Sequence, residues 1–270
     1  MSLPRVLSIA GSDSGGGAGI QADLKTITVL GGFGMTVITA LTAQNTTGVQ
    51  GIFPVDPGFI GMQFDSVLTD IGADAAKTGM LATPEVIRLV AEKIRQYRIQ
   101  KLVVDPVMAA KGGDPLIQED ARETMVSELI PLATVITPNR FEAEMISGIK
   151  IESIRDMERA AEEIVRRGAR AVIVKNGQRD DESVDVLHDG SGIRHFVSPW
   201  YDTRNTHGSG CTYSAALATA LAAGEELVSA VDIAKKYIAE AIKYSMNLGS
   251  GLGPTRHLPP GYKTGQFSGD

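Results

Sequence analysis

Strand-length apolar runs alternate with helical patterns of ten or more residues along most of this chain. No other feature restricts the fold as much. RVLSIAG, MTVITAL, DAAKTGML, KLVVDPVM, TVITPN and ARAVIVKNG have the length and composition of buried strands. Between them, IQADLKTITVL, PGFIGMQFDSVLTDI, PEVIRLVAEKIRQY, ARETMVSELIPL and MERAAEEIVRRG carry helical spacing, several bounded by Pro or Gly. VDVLHDGSGIRHFV reads as a hairpin around a Gly-rich turn. Two more helices follow, SGCTYSAALATALAAG and ELVSAVDIAKKYIAEAIKYSM. A helix between successive strands implies a mostly parallel sheet covered on both faces, a three-layer αβα sandwich. Ligands of such sheets bind beyond the carboxyl ends of the strands. The loop SDSGGGAG and the segments DPVM, TPN and VKNG all follow strands, so they are expected along one edge.

The 270 residues fit one large domain spanning 1–270, without repeat or linker. Residues 261–270, GYKTGQFSGD, are polar and Gly-rich and are expected to fray. A net charge of -6 with no basic run disfavours a dedicated nucleic-acid binder. The most membrane-like run, AALATALAA, is about half of the ~20 residues a spanning helix needs. VLSIA is too short for a signal-peptide core. One cysteine, Cys211, precludes an intrachain disulfide. The expectation is a soluble cytoplasmic protein without nucleic-acid or membrane partners.

Two common nucleotide motifs are missing. SDSGGGAG places Ile20 where a dinucleotide fingerprint needs Gly, and Ala76 precedes Lys77-Thr78 where a phosphate-binding P-loop needs Gly. The informative segment is instead NTHGSGCTYSAALATALAAG. Small residues stand directly before a long Ala-rich helix, so free backbone N–H groups and the helix dipole converge on one spot. Such a site suits negative charge on a phosphoryl group in transfer. Cys211 falls in the first turn, where a thiol pKa is expected to drop. The plain alternative is a glycine turn, a helix cap and a small buried cysteine, and the local pattern weighs both equally.

GSDSGGGAGIQADLKT, TAQNTTGV, AAKTGML, DPVM, ITPNRFEAE and NTHGSGCTYSAALA, in this order, resemble the bacterial hydroxymethylpyrimidine and phosphomethylpyrimidine kinases of thiamin biosynthesis. The resemblance runs from about Val6 to the GPTRH segment and implies the ribokinase-like fold. It implies an anion hole from Gly208, Ser209 and Gly210, with Cys211 where the wider superfamily has a catalytic Asp. The subfamily's usual Thr is Ser209 here. It places Asp23 in the substrate pocket, holding a hydroxyl, where local reading gives a helix-surface acid. Gln44 would contact the pyrimidine, and a carboxamide suits an amine beside a ring nitrogen; otherwise it is a strand-end amide. Gly11, Met80 and Val107 would line the ring site, although Met80 alone reads as core.

The resemblance further implies that Asn139 and Glu142, spaced to share one helix face, organise Mg²⁺ and water around the nucleotide phosphates. Asp105 would be the second acidic group, and Asp105 and Glu142 would hold Mg²⁺ directly or through water. Before Pro106, Asp105 also reads as a turn-former. Lys175 matches a lysine near the ATP phosphates, with Asn176 where a second Gly is usual. His188, His195, His207 and His257 lack metal-ligand spacing, and only His207 adjoins the anion hole.

The implied reaction is MgATP-dependent phosphorylation of 4-amino-5-hydroxymethyl-2-methylpyrimidine and then of its monophosphate, with Cys211 as base, in a homodimer. A pyridoxal or pyridoxine kinase would use the same anion hole, and Gln44 favours the aminopyrimidine. A non-catalytic vitamin-precursor binder is disfavoured by Cys211, the glycine pair and N-x-x-E. A nicotinamide-dependent oxidoreductase is disfavoured by the absent fingerprint.

Overall fold

The computed structural model describes residues 3–108 and 119–267. Among these, nine strands form one sheet. They are β1 (Arg5–Ser12), β2 (Phe33–Asn45), β3 (Gly48–Pro54), β4 (Ala75–Thr78), β5 (Leu102–Val104), β6 (Val135–Ile136), β7 (Val172–Arg179), β8 (Glu182–His188) and β9 (Ile193–Pro199). The order across the sheet is β3-β2-β1-β4-β5-β6-β7-β8-β9. The six strands from β2 to β7 are parallel, and β3, β8 and β9 add antiparallel edges. The chain steps from β1 to β2 on one side and then returns to β4 on the other. The order therefore reverses at β1, which opens a crevice beyond its carboxyl end.

Alternation along the central strands sorts side chains to two faces. Leu7, Ile9, Leu102, Val104, Val172 and Val174 join one core, while Val6, Val103 and Ile173 join the other. The first face carries α2 (Pro57–Leu68), α3 (Pro84–Gln96), α4 (Glu119–Thr124), α5 (Arg140–Ser147) and α6 (Ile154–Arg166). The second carries α1 (Gly19–Val29), α7 (Ser209–Ala222) and α8 (Leu227–Lys243). Helix α7 touches α1, α8 and the central strands β1, β4 and β5. Ten of its residues, Thr212 to Leu221, are buried in succession. Its Ala-rich sequence allows that close approach.

Three sequence expectations change. β3 comes from GVQGIFP, a stretch mostly exposed and therefore without the buried-strand signature. The helix expected over ARETMVSELIPL ends at Thr124 and continues as a π turn over Met125–Leu129 and a 3₁₀ turn over Ile130–Leu132. Pro131 can donate no N–H, so the regular ladder cannot run through it. The tail, expected to fray over 261–270, is held as far as it is described. Gly265 and Phe267 donate their N–H groups to Val29 and Leu30, and the Tyr262 ring packs edge-on against Tyr237 at 5.2 Å. Its two aromatic side chains outweigh its polar composition. Residues 268–270 lie outside the described part.

Candidate active site

The site begins with a backbone contact only glycine permits. Gly208 caps α7 with a left-handed φ of 78°, and a Cβ there would lie 1.7 Å from the Gly17 carbonyl oxygen. The glycine-rich loop between β1 and α1 is thus pressed against the start of α7. Asp13 organises that loop. Its Oδ1 accepts the Gly15 N–H at 2.8 Å, and its Oδ2 accepts those of Gly17 and Ala18 at 3.0 and 2.8 Å. The His207 ring also reaches Asp13 Oδ2, at 2.9 Å. Burial would raise the Asp13 carboxyl, but His207 and the loop N–H groups outweigh it and hold the pKa below its usual value.

One cavity opens beyond the strand ends. Gly11, Gln44, Met80 and Val107 line one side, as expected for a ring site. The Thr42 hydroxyl reaches Gln44 Oε1 at 3.1 Å, and Ser14 bonds the Gln44 backbone. Asp105, Asn139, Glu142 and Lys175 line the same cavity, as do Gly208, Ser209, Gly210 and Cys211. Twelve of the thirteen residues expected at the site meet there. Asp23 is the exception and does not reach the wall.

Asp23 lies fully buried beneath the cavity. Its Oδ2 accepts the Ser8 hydroxyl at 2.5 Å, and both oxygens accept from Lys77 Nζ, at 3.0 and 3.1 Å. Neither the substrate contact nor the surface position expected for Asp23 fits this placement. Lys77 comes from the wholly buried strand β4, where a lysine survives only with a partner. Burial opposes its charge, but Asp23, helped by Cys211 and Asp105, outweighs burial and holds the ammonium above its usual range. We read the pair as ionised, burial raising the Asp23 carboxyl and Lys77 and Ser8 opposing that rise.

The start of α7 has a narrower donor set than expected. Ser209 spends its N–H on the Thr206 carbonyl at 3.2 Å. The Gly210 and Cys211 N–H groups sit in the first turn, without intrahelical partners. The Cys211 thiol is pushed up to about 11 by burial, against the pull of Lys77 behind it. The expected fall at a helix start is reversed because the low-dielectric surroundings penalise the thiolate more than the helix end favours it.

The N-x-x-E segment is a capping box. Asn139 Oδ1 accepts the Glu142 N–H at 3.0 Å, and Glu142 Oε2 accepts the Asn139 N–H at 2.8 Å. Asp105 is buried, and its Oδ1 accepts from Thr137 at 3.1 Å and from Lys175 Nζ at 3.2 Å. The Ser214 hydroxyl of α7 donates to Asp105 Oδ2 at 3.2 Å, which ties Asp105 to that helix. Asn176 takes a positive φ of 66°, a conformation that glycine adopts freely and asparagine tolerates. Its N–H is held by Asp185 at 3.0 Å, and Asp185 pairs with buried Lys235. Burial, helped by Asp105, pushes the Glu142 carboxyl up to about 7 against Lys175.

The donor chemistry fits Mg²⁺. Two hard carboxylates line one cavity, and burial raises the pKa of one of them, Glu142, which a bound cation would lower. Among the described residues no cluster of three or more acidic, His or Cys side chains could form an all-protein cage. Mg²⁺ needs none, because it takes one or two carboxylates and fills its shell with waters and phosphate oxygens.

A family model described as phosphomethylpyrimidine kinase matches residues 13–256. The chain belongs to that family. It is 46% identical to the hydroxymethylpyrimidine/phosphomethylpyrimidine kinase of Bacillus subtilis, over 96% of each chain. It is 50% identical to a thiamine biosynthesis bifunctional protein of Geobacter sulfurreducens over 94% of this chain, and spans 52% of that longer protein. The ADP complex of Bacillus subtilis pyridoxal kinase superposes with a TM-score of 0.89 at 42% identity, covering 95% of this chain and 98% of the other. The fold is therefore ribokinase-like, as the motifs implied.

Sequence reasoning passed over Asp13, Lys77, Thr137 and Ser214. A signal existed for Asp13, since an Asp ahead of consecutive glycines supplies the acceptor their N–H groups need. For Lys77 the signal was a charge inside an otherwise apolar strand.

The Glu142 shift has a consequence for stability. Its folded pKa, about 7, lies above the unfolded value of 4.5, so the folded state binds more protons between these values. Its contribution is fully present below about pH 4.5 and is lost as pH rises through about 7. The ligand-free protein should lose on the order of 1–3 kcal/mol from this group over that window. Urea unfolding of wild type and Glu142→Gln at pH 5 and pH 8 measures it. The variant should lose less stability across the interval; parallel curves would contradict the assignment.

Proposed function

We propose that this chain transfers the γ-phosphoryl group of ATP to the hydroxymethyl oxygen of 4-amino-5-hydroxymethyl-2-methylpyrimidine, and in a second reaction to the phosphate of the resulting monophosphate. The observation that carries this reading is that Gln44, Met80 and Val107 share one cavity with the glycine-capped start of α7. A flat ring held by the first set directs a substituent towards the second. Gln44 can accept from the exocyclic amine and donate to the neighbouring ring nitrogen. Lys175 lies on the nucleotide side. The Gly210 and Cys211 N–H groups would stabilise charge on the transferring group.

In each turn the bond from the γ-phosphorus to the bridging oxygen breaks and a bond to the acceptor oxygen forms. ADP leaves with the breaking pair, and the first acceptor releases its hydroxyl proton. We assign receipt of that proton to Cys211, with Lys77 behind it favouring the thiolate. Mg²⁺, held through Asp105 and Glu142, would supply positive charge to the phosphate oxygens. ADP bound to the related pyridoxal kinase supports an adenine nucleotide here.

We also place the protein in the cytoplasm, as one domain acting as a homodimer. None of the described helices is long and apolar enough to cross a membrane. Leu41 and Phe53 pair across β2 and β3 and are exposed, with Ile52 and Met62 nearby in sequence to this edge. Exposed apolar side chains at a sheet edge suit a contact with a second copy.

Four outcomes are expected. ADP release should give a higher kcat/KM for the hydroxymethylpyrimidine than for pyridoxal, and preference for pyridoxal would assign the chain to the vitamin B6 substrates instead. With the thiol at about 11, single-turnover phosphorylation of the alcohol should speed up from pH 7 to pH 9. Phosphorylation of the monophosphate, already anionic, should change little. Cys211→Ala should slow the alcohol reaction by ~10²–10⁴ and remove its pH slope; equal slowing of both reactions would exclude Cys211 as the base. Phe53→Asp should convert a dimer to a monomer in sedimentation velocity, whereas a monomeric wild type would refute the dimer.

A further inference from the structure

His207 and Asp13 form a contact that the reaction as described does not use. Asp13 is 3% exposed, and its carboxylate accepts three loop N–H groups and the His207 ring. A carboxylate can only accept, so Nε2 carries the proton between them. His207 is itself fixed from behind: its N–H bonds the Gly253 carbonyl at 3.0 Å, and its carbonyl accepts the Thr255 N–H at 3.2 Å. The ring fills the space over Gly17, where an added Cβ would meet its Cδ2 at 2.4 Å. The next residue, Gly208, meets the Gly17 carbonyl. The imidazole therefore joins a backbone-anchored segment to the glycine-rich loop at the point where α7 begins.

We infer that Asp13 and His207 are positioning residues for phosphoryl transfer. Their hydrogen bond holds the glycine-rich loop, which follows Gly11 at the end of β1, in register with the Gly210 and Cys211 N–H groups. Ring binding rests on the side chains of Gln44, Met80 and Val107, which neither Asp13 nor His207 hydrogen-bonds; Ser14 ties the loop to the Gln44 backbone, but pairing with β3 and the Thr42 hydroxyl hold Gln44 independently. Transfer needs the acceptor oxygen and the N–H groups aligned together, and a displacement of about 1 Å can cost ~10²-fold. Loss of the bond should therefore lower kcat and spare pyrimidine affinity.

The test compares His207→Leu, His207→Gln, Asp13→Asn and the Asp13→Asn/His207→Leu double variant. The readouts are kcat, pyrimidine Kd by calorimetry without nucleotide, and thermal midpoint. His207→Leu should lower kcat by about 10–100-fold with Kd within about twofold of wild type. His207→Gln, whose Nε2 can still donate to Asp13, should recover most of the loss. Asp13→Asn should show the same split, and the double variant should fall no further than the worse single variant, as expected for partners in one interaction. Four results would overturn the inference. One is kcat within twofold of wild type in His207→Leu. Another is equal loss of kcat and affinity. A third is His207→Gln no better than His207→Leu at matched thermal midpoint. The last is near-normal kcat in Asp13→Asn beside a large loss in His207→Leu, which would mean that His207 touches the phosphoryl group itself. If His207→Leu does not fold, the Asp13→Asn and His207→Gln pair decides by the same split.

Discussion

The close approach of Gly208 to the Gly17 carbonyl is the contact on which this site depends. It brings the first turn of a long buried helix against the loop that leaves β1, and no side chain fits between them. Both partners pay in conformational freedom, since the glycines on each side are costly to order. The cost is met elsewhere. Helix α7 is buried along most of its length between α1, α8 and the sheet, so its start cannot retreat. Asp13 satisfies the loop N–H groups that would otherwise be stranded.

A second constraint is buried charge. Three lysine–aspartate pairs, Lys77–Asp23, Lys175–Asp105 and Lys235–Asp185, are almost fully removed from solvent. Each pair spans two elements: Lys77 of β4 with Asp23 of α1, Lys175 of β7 with the end of β5, and Lys235 of α8 with Asp185 of β8. Such pairs contribute little net stability, but breaking one typically costs about 3–5 kcal/mol. Their value here is placement. Lys77 stands behind Cys211, Lys175 lines the cavity, and Asp185 holds the Asn176 turn beside Lys175. Among the described residues Glu142 has no such lysine partner, and burial raises its pKa.

Much of this was legible in the chain. Parallel strands buried on both faces are continuous apolar runs, so Val103-Val104 and Val172-Ile173-Val174 announced themselves, and helices with proline or glycine ends separated them. The segment NTHGSGC revealed the helix start because small residues before an Ala-rich run have few other uses. What escaped had a physical reason. GVQGIFP is exposed, so no burial pattern marked β3. Asp23 looked like a surface acid or a pocket residue, because the lysine that captures it lies 54 positions away and only the β1–β4 pairing brings them together. The direction of the Cys211 shift was misjudged because helix position is visible in sequence and desolvation is not. Asp13 and His207 are 194 positions apart, and no local pattern links them.

A structure of the protein with magnesium, a non-hydrolysable ATP analogue and the hydroxymethylpyrimidine tests the arrangement most directly. The expected result has the ring against Gln44, Met80 and Val107, and the γ-phosphoryl oxygens within hydrogen-bonding distance of the Gly210 and Cys211 N–H groups. The hydroxymethyl oxygen should lie between the γ-phosphorus and Cys211. A complex with the ring elsewhere, or with the γ-phosphoryl group remote from the start of α7, would contradict it.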